Sequence, residues 1–587
     1  MCDLLYKRYK KIEVFVLFFV LAILYFIFTK NVRNIYPIHP WDESLYLRNG
    51  IAQTSQADQS IVSWGFLYSK FYSCLNIFIK NPEDLYYGNL YAQTFLLTFL
   101  HFFACIKLKA SKSLCLLSSF LVLISTLNLP TVSKPTHLNT SYLYLIFISS
   151  TYFSKTKHRV LYCIPLLIFS MYLRQDNIFI LLLFLVVYPF LQATSKKMDL
   201  IYVYVTTLLF IYLCHILIGN PFSGGKTWFT FRDAFIVHKG LLGTYPSELS
   251  AVQVIRNTFH NANSILGAFV NNPQEFSKHF MENISLLPRH FFADLFKHFP
   301  ISDWKKGYEQ NSNIEEALGL LLIFTTLLAV AVKQWRKGKK TLLQFNIPLG
   351  DPIFLLLYVG IFIKTISTVG LLVPSNRYYL ELSFFSIAYL THQTSRILMQ
   401  AKHLETFMMF SIPLLLLIFC PSHSDHKYKN ALISNSEFHT GAEIESLLTF
   451  NDKLYVLKNL HLHPLKTFSN PSIPLYLWRS TDYTGSPFIF LEIQKFAPSS
   501  LGEYLQNNDF EYFILDEDIV HIFNSSGLHN QLTFFEQQAN FFGYSLIYNM
   551  PSVVSVYQQT YHIELKSYAS YLFSIHPWLE LYSPPLL

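Results

Sequence analysis

The chain has 587 residues, 52% of them hydrophobic and only 14% charged, with a formal net charge of +8 and mean hydropathy +0.30. A soluble protein of this size carries about 25% charged residues, so the deficit points to a chain solvated largely by lipid. The Lys and Arg residues sit in short clusters between apolar runs, not on one basic face, which argues against a nucleic-acid binder.

The seven cysteines lie mostly in or beside apolar runs, with no metal-type spacing and no disulfide framework. The 55 Phe and 38 Tyr suit long apolar spans flanked by interfacial aromatic belts.

Runs long enough to cross a bilayer are read at 12–29, 89–106, 113–128, 139–153, 160–173, 177–192, 199–218, 315–332, 352–373, 379–395 and 404–420, about eleven in all. No small-residue cleavage site follows the first run at "LYFIFTKNVRN", so it is read as a retained anchor. With the N-terminus in the cytoplasm, the inner connections are "YKRYKK", "KLKASK", "KTKHR", "KK", "KQWRKGKK" and the 396–403 stretch, each of them basic. The short outer connections hold only Lys134, Arg174 and Arg377, an asymmetry that sets the orientation. Three long stretches then fall outside: 30–88, 219–314 and everything after about 420.

This predicts a multi-pass α-helical membrane domain over 1–420, with outer loops 30–88 and 219–314, and an extracytoplasmic α/β domain over 421–587. In the outer loops, apolar and aromatic residues near helical spacing predict short helices lying on the membrane. In the tail, "KLYVLKN", "FEYFILDE" and "YSLIYNM" read as strands, and "SLGEYLQNN" and "HNQLTFFEQQANFFG" as helices. The composition, rich in Phe, Tyr and Lys, points to a bacterial inner membrane. The Asn-x-Ser/Thr matches at Asn139, Asn283 and Asn524 would matter only in an endoplasmic reticulum.

The first candidate site is "HPWDESLYLRN", just past the first span. Asp42 and Glu43 suit the positive end of a helix starting after Pro40. An Asp near lipid can equally act as general base for a hydroxyl acceptor. The second is "YLRQDNIFILLLFL", where Arg174 and Asp176 stand at the outer end of an apolar hairpin; they either snorkel to water or bind a lipid-linked phosphate. The third is "LLVPSNRYYLELSFF", where Arg377, Tyr378 and Tyr379 form an aromatic anchor or a phosphate site.

"GGKTWFTFRDAF" lacks the glycine a Walker loop needs, since Asn220 stands where it would be. Lys226 and Arg232 there remain candidates for steering an anion. His137 lies in the outer loop 129–138, and a lone His is more often structural than catalytic. Asp42, Glu43, Arg174, Asp176 and Arg377 all fall on the outer face, with charges at span ends and none expected mid-span.

Taken together, these motifs resemble the GT-C superfamily of membrane glycosyltransferases, in the branch of the protein O-mannosyltransferases and the aminoarabinose transferases. "WDESLYLRNGIAQ" is similar to that family's Asp-Glu-x-x-Tyr pattern after the first span. "WGFLYSKFY" keeps Leu67 and Tyr68 of a Pro-Pro-Leu-Tyr-like motif but has Gly65 and Phe66 for the prolines. "NRYYLEL" resembles the Arg-Tyr start of a late span, and "LRQDNIFILLL" an Arg-Pro-x-Gly stretch with Gln175 for the proline. A second outer acidic residue, common in the family, is replaced by His137 and Asn139.

The resemblance implies transfer, with inversion, of a sugar from a polyprenyl-phosphate donor to a lipid, glycan or protein acceptor at the outer face. Asp42 would be the base, with Glu43 orienting the acceptor. Arg174, Arg377 and Tyr378 would hold the leaving phosphate, and Lys226 and Arg232 would guide the donor head. The outer loops hold no Asp-x-Asp pair, so no metal is expected, with a divalent ion left as the alternative. Rival readings are an O-antigen ligase or polymerase acting on the same carriers, and a transporter. The first would cluster its site in a late loop; the second would bury charges mid-span and show paired halves.

Overall fold

The computed structural model describes residues 2–30, 42–52, 65–124, 135–191, 197–222, 228, 230–232, 234–235, 251–260, 262–296, 351–372, 376–398, 411–416, 467–468, 501–507, 510–516, 519–520, 523, 529–542, 544–550 and 554–559. Contacts divide the chain into two units, Met1–Tyr36 with Asn49–Tyr428, and Pro37–Arg48 with Lys429–Leu587.

The first unit is helical. Its long elements are α1 (Cys2–Thr29), then, after α2 (Asp42–Ala52, of which only the part from Asn49 belongs to this unit) and α3 (Phe66–Asn76), α4 (Pro82–Lys107), α5 (Lys112–Ile124), α6 (Pro135–Ser150), α7 (Thr156–Ser170), α8 (Ile178–Leu191) and α9 (Lys197–Ile218). An arm of α10 (Ala251–Phe259), α11 (Ile265–Asn271) and α12 (Pro273–Phe296) precedes α13 (Pro352–Leu371) and α14 (Asn376–Leu398). Helix starts follow local chemistry. Asn81 accepts from the Glu83 and Asp84 N–H groups with Pro82 in the first turn of α4, and Asp351 caps α13 the same way through Ile353 and Phe354.

Among the described residues, four helices are long and apolar enough to cross a membrane: Ile12–Thr29, Pro82–Lys107, Ile201–Ile218 and Pro352–Leu371. The remaining helices at expected spans fall short of that standard. Helices α5 to α8 have 13 to 16 residues, about 20–24 Å at 1.5 Å per residue against a hydrocarbon core of about 30 Å. Helix α14 is long enough but carries Asn376, Arg377, Glu381, His392 and Arg396. The expected span 315–332 lies outside the described residues, and of 404–420 only the helical 411–416 is described.

One apolar core joins α1, α4, α5, α6, α7, α8, α13 and α14, with Phe102, Phe147, Phe184 and Tyr144 fully buried. Close approach is set by small residues. At Gly360 an added Cβ would come within 3.0 Å of the Ile180 side chain, so α8 and α13 pack nearly backbone to backbone there.

In the second unit, β1 (Thr467–Phe468), β2 (Tyr512–Asp516), β3 (Tyr544–Met550) and β4 (Val554–Gln559) form one sheet in the order β1-β2-β4-β3. The β1–β2 pair is parallel; β2–β4 and β3–β4 are antiparallel, with an irregularity between Leu546 and Tyr548. Helices α15 (Leu501–Asn507) and α16 (His529–Gln538) precede β2 and β3. Phe468, Leu501, Phe513, Phe535 and Tyr544 form the core between them. The strands expected in "FEYFILDE" and "YSLIYNM" are present, whereas "KLYVLKN" lies outside the described residues.

Candidate functional site

Two polar clusters mark opposite ends of the helical bundle. At one end Arg159, in the first turn of α7, donates to both carboxylate oxygens of Asp351 at 2.7 Å and to Ser150 at the end of α6. At the other end Arg174, just past α7, meets Thr136 in the first turn of α6, and Asp176 meets Thr368 in the last turn of α13. Helices α6, α7 and α13 therefore share the same two ends. Each cluster closes helix termini that would otherwise leave polar groups unsatisfied.

The second cluster is the richer one. Arg174 donates from Nε to Asp176 Oδ1 at 3.1 Å and from Nη2 to Asp176 Oδ2 at 2.5 Å, and its guanidinium lies 5.9 Å from the Tyr378 ring centroid. Arg174 is the extended residue that caps the short 3₁₀ turn Gln175–Asn177, on which Asp176 stands. Asp176 is also 3.2 Å from the Lys364 ammonium. Lys364 donates to Glu381 Oε2 at 2.6 Å and to Asn177 Oδ1 at 2.8 Å. Asn139 donates to Glu381 Oε1 at 2.9 Å, and Asn177 donates back to Asn139 at 2.7 Å and to the Ser170 carbonyl at 2.9 Å.

This network holds two cations and two carboxylates, so its formal charge is zero. It ties α6, the 175–177 turn, α13 and α14 together. Lys364 and Glu381 expose only 4% and 3% of their side chains, so neither is a snorkelling surface charge. Buried ions of this kind persist only when paired and hydrogen-bonded.

Several expectations change here. The expected absence of charges inside the spans is overturned by Lys364, which lies seven residues before the end of α13, at Leu371. Arg174 and Asp176 do not stand apart at the water edge: they neutralise one another, and Arg174 is a fixed donor, not a net positive charge. His137 is not in a loop, since α6 begins at Pro135, and it is completely buried. Asn139 and Asn283 are both fully buried, and Asn139 is held by Glu381 and Asn177, so neither suits a glycan.

The other expected site residues fall as follows. Asp42 opens α2, its side chain outside the described residues, and Glu43 beside it is 3% exposed. Both belong with Pro37–Arg48 in the second unit. Tyr68 is fully buried in α3, where its hydroxyl accepts from Asn89 at 2.9 Å and Gln93 at 3.1 Å in α4. Tyr378 is half-buried against Arg174; Arg377 is the second residue of α14, its side chain outside the described residues. Arg232 is helical and half-buried, and Lys226 lies outside the described residues.

Lys364, Glu381 and Asn177 were missed from sequence. The available signal was a lone Lys in an apolar run and a Glu one turn after Arg377, each needing a partner. Among the described residues no group of three His, Cys, Asp or Glu side chains could hold a metal ion. No protein-family model and no curated protein matches the chain.

Proposed function

We propose that this chain is a membrane glycosyltransferase that moves a sugar from a polyprenyl-phosphate donor to an acceptor hydroxyl at the outer membrane face. The observation that carries the reading is Asp42–Glu43 at the head of an 11-residue helix directly after the first membrane-crossing helix, in the order and with the Asp-Glu-x-x-Tyr spacing that resemble the GT-C superfamily. The polar network at one end of the bundle supports it, because it holds Arg174, whose guanidinium lies 5.9 Å from the ring of Tyr378, the residue after Arg377 in sequence.

In this reading Asp42 takes the proton of the acceptor hydroxyl as its oxygen attacks the anomeric carbon. The bond from that carbon to the phosphate oxygen breaks, inverting the centre. Polyprenyl phosphate leaves with the electron pair, stabilised by Arg377 and by the preorganised donors of Arg174. Glu43 orients the acceptor, and Lys226 and Arg232 guide the donor head. The four-stranded sheet unit lies on the outer side, the N-terminus is cytoplasmic, and the membrane is a bacterial inner membrane. About eleven spans complete the membrane domain.

A second reading, transport, is favoured by Lys364 and Glu381, since ionisable groups inside a membrane bundle mark ion or substrate paths. The neutral, mutually satisfied network suits a lock between helices better than a carrier site. The test is to reconstitute the purified protein with radiolabelled polyprenyl-phosphate sugars and membrane extract as acceptor. Transfer from at least one donor supports the enzyme; donor-independent uptake of a solute into vesicles supports the transporter.

A further inference from the structure

The arm α10–α12 turns mostly polar side chains outward. Helix α10 exposes Arg256 and Asn257; α12 exposes Gln274, Ser277, Lys278 and Ser285, with Met281 as a single large apolar side chain among them. Helix α11 does the opposite. Leu266, Phe269 and Val270 are 71%, 45% and 67% exposed, and their i, i+3, i+4 spacing places all three on one helix face. Residues 261–274 contain no charged side chain.

That face is tied to the end of a membrane-crossing helix. The Phe269 ring meets Phe276 edge-on at 5.4 Å, and Phe276 packs against the same buried cluster, around Phe231 and Phe259, as Leu371 and Leu372 at the end of α13. One turn on, the Phe280 ring covers Gly370, and Asn283 donates to the Gly370 carbonyl at 3.2 Å. Helix α11 is thus joined to the end of α13 through that aromatic pair and the shared cluster.

We propose that α11 is an interfacial foot: Leu266, Phe269 and Val270 insert among the lipid acyl chains of the leaflet at that end of the bundle, holding the arm against the bilayer. The occupant is lipid because the face is joined, through Phe276 and the cluster it shares with Leu371 and through the packing of α12 on Gly370, to a helix long and apolar enough to cross lipid. Its neighbours α10 and α12 expose mainly polar side chains, with Met281 the one large apolar side chain exposed on either among the described residues. With no cation in the foot, insertion rests on apolar burial and is insensitive to salt and to anionic lipid, unlike a basic amphipathic helix. The inference stands whether or not the chain transfers sugar.

The test uses full-length protein in phosphatidylcholine vesicles, with Cys2, Cys74 and Cys420 replaced by Ser. Nitroxide labels are placed through Leu266→Cys, Phe269→Cys, Val270→Cys and, as a water-facing control, Ser277→Cys. The three α11 labels are expected to show an oxygen-to-nickel-chelate accessibility ratio several-fold above that at position 277, unchanged by salt. A ratio equal to the control would overturn the proposal. So would shielding from both reagents with spin–spin broadening, which would make the face a contact with a second copy.

Unlabelled wild type provides an independent check with a phosphatidylcholine carrying an acyl-chain diazirine. Lipid adducts should map to residues 265–271 as they do to the exposed face of α9. Adducts on α9 with none on α11 would also overturn the proposal.

Discussion

Replacing Lys364 by Met removes one side chain from a closed set of four charges. Glu381, 3% exposed, would keep only Asn139 as a described donor, and Asp176 would keep Arg174 and Thr368. Breaking a buried pair in this way costs about 3–5 kcal/mol, because a charge is left behind without its partner. The double variant Lys364→Met/Glu381→Gln removes both charges, and the Gln oxygen can still accept from Asn139. It should fall within about 1–2 kcal/mol of wild type, since replacing both partners avoids the stranded charge.

The assay is unfolding of the purified protein in mixed micelles by titrated SDS. It is followed with a thiol-reactive dye, to which the buried Cys105, Cys115 and Cys163 are inaccessible until the bundle opens. Two results would refute the reasoning: a Lys364→Met protein as stable as wild type, or a double variant that loses as much as the single.

Other expected outcomes follow from single contacts. Tyr68→Phe removes the hydroxyl that accepts from Asn89 and Gln93 inside the bundle, and should cost about 1–3 kcal/mol in the same unfolding titration. Gly370→Ala drives a Cβ into the Phe280 ring; overpacking of about 1–3 kcal/mol should appear, with faster proteolysis of the arm as a second readout. Expressed in a cell that glycosylates Asn-x-Ser/Thr sites, the protein should show no glycan at Asn139 or Asn283. A mass loss on glycosidase treatment that disappears in Asn283→Gln would contradict the buried position of that side chain.

The helices themselves were legible because apolar runs mark buried helical segments. Run length alone did not separate the four described helices long and apolar enough to cross a membrane from the shorter or charged ones beside them. Their polar seams were harder to read. Lys364 sits in a run apolar enough to absorb one charge without altering the pattern, and its partners lie 17 and 187 positions away in sequence. Arg174 and Asp176 were noticed, but spacing does not announce their pairing with one another, nor the contact between distant segments that joins them to Lys364, 188 positions beyond Asp176. His137 was placed one turn too far out because Pro135 starts a helix where the apolar run had not yet begun. In the tail, short strands with β-branched and aromatic residues were recognisable, whereas the position of β4 between β2 and β3 follows from pairing that only the folded chain displays.

The central claim rests on Asp42. Sugar transfer from defined polyprenyl-phosphate donors should be measured with membranes holding equal amounts of wild type and Asp42→Asn, a swap that keeps size and hydrogen bonding but removes the base. The account predicts transfer by wild type and a loss of about 10²-fold or more in the variant, the range general-base help supplies. Equal transfer by both proteins would contradict it and leave Asp42 as a residue that only opens its helix.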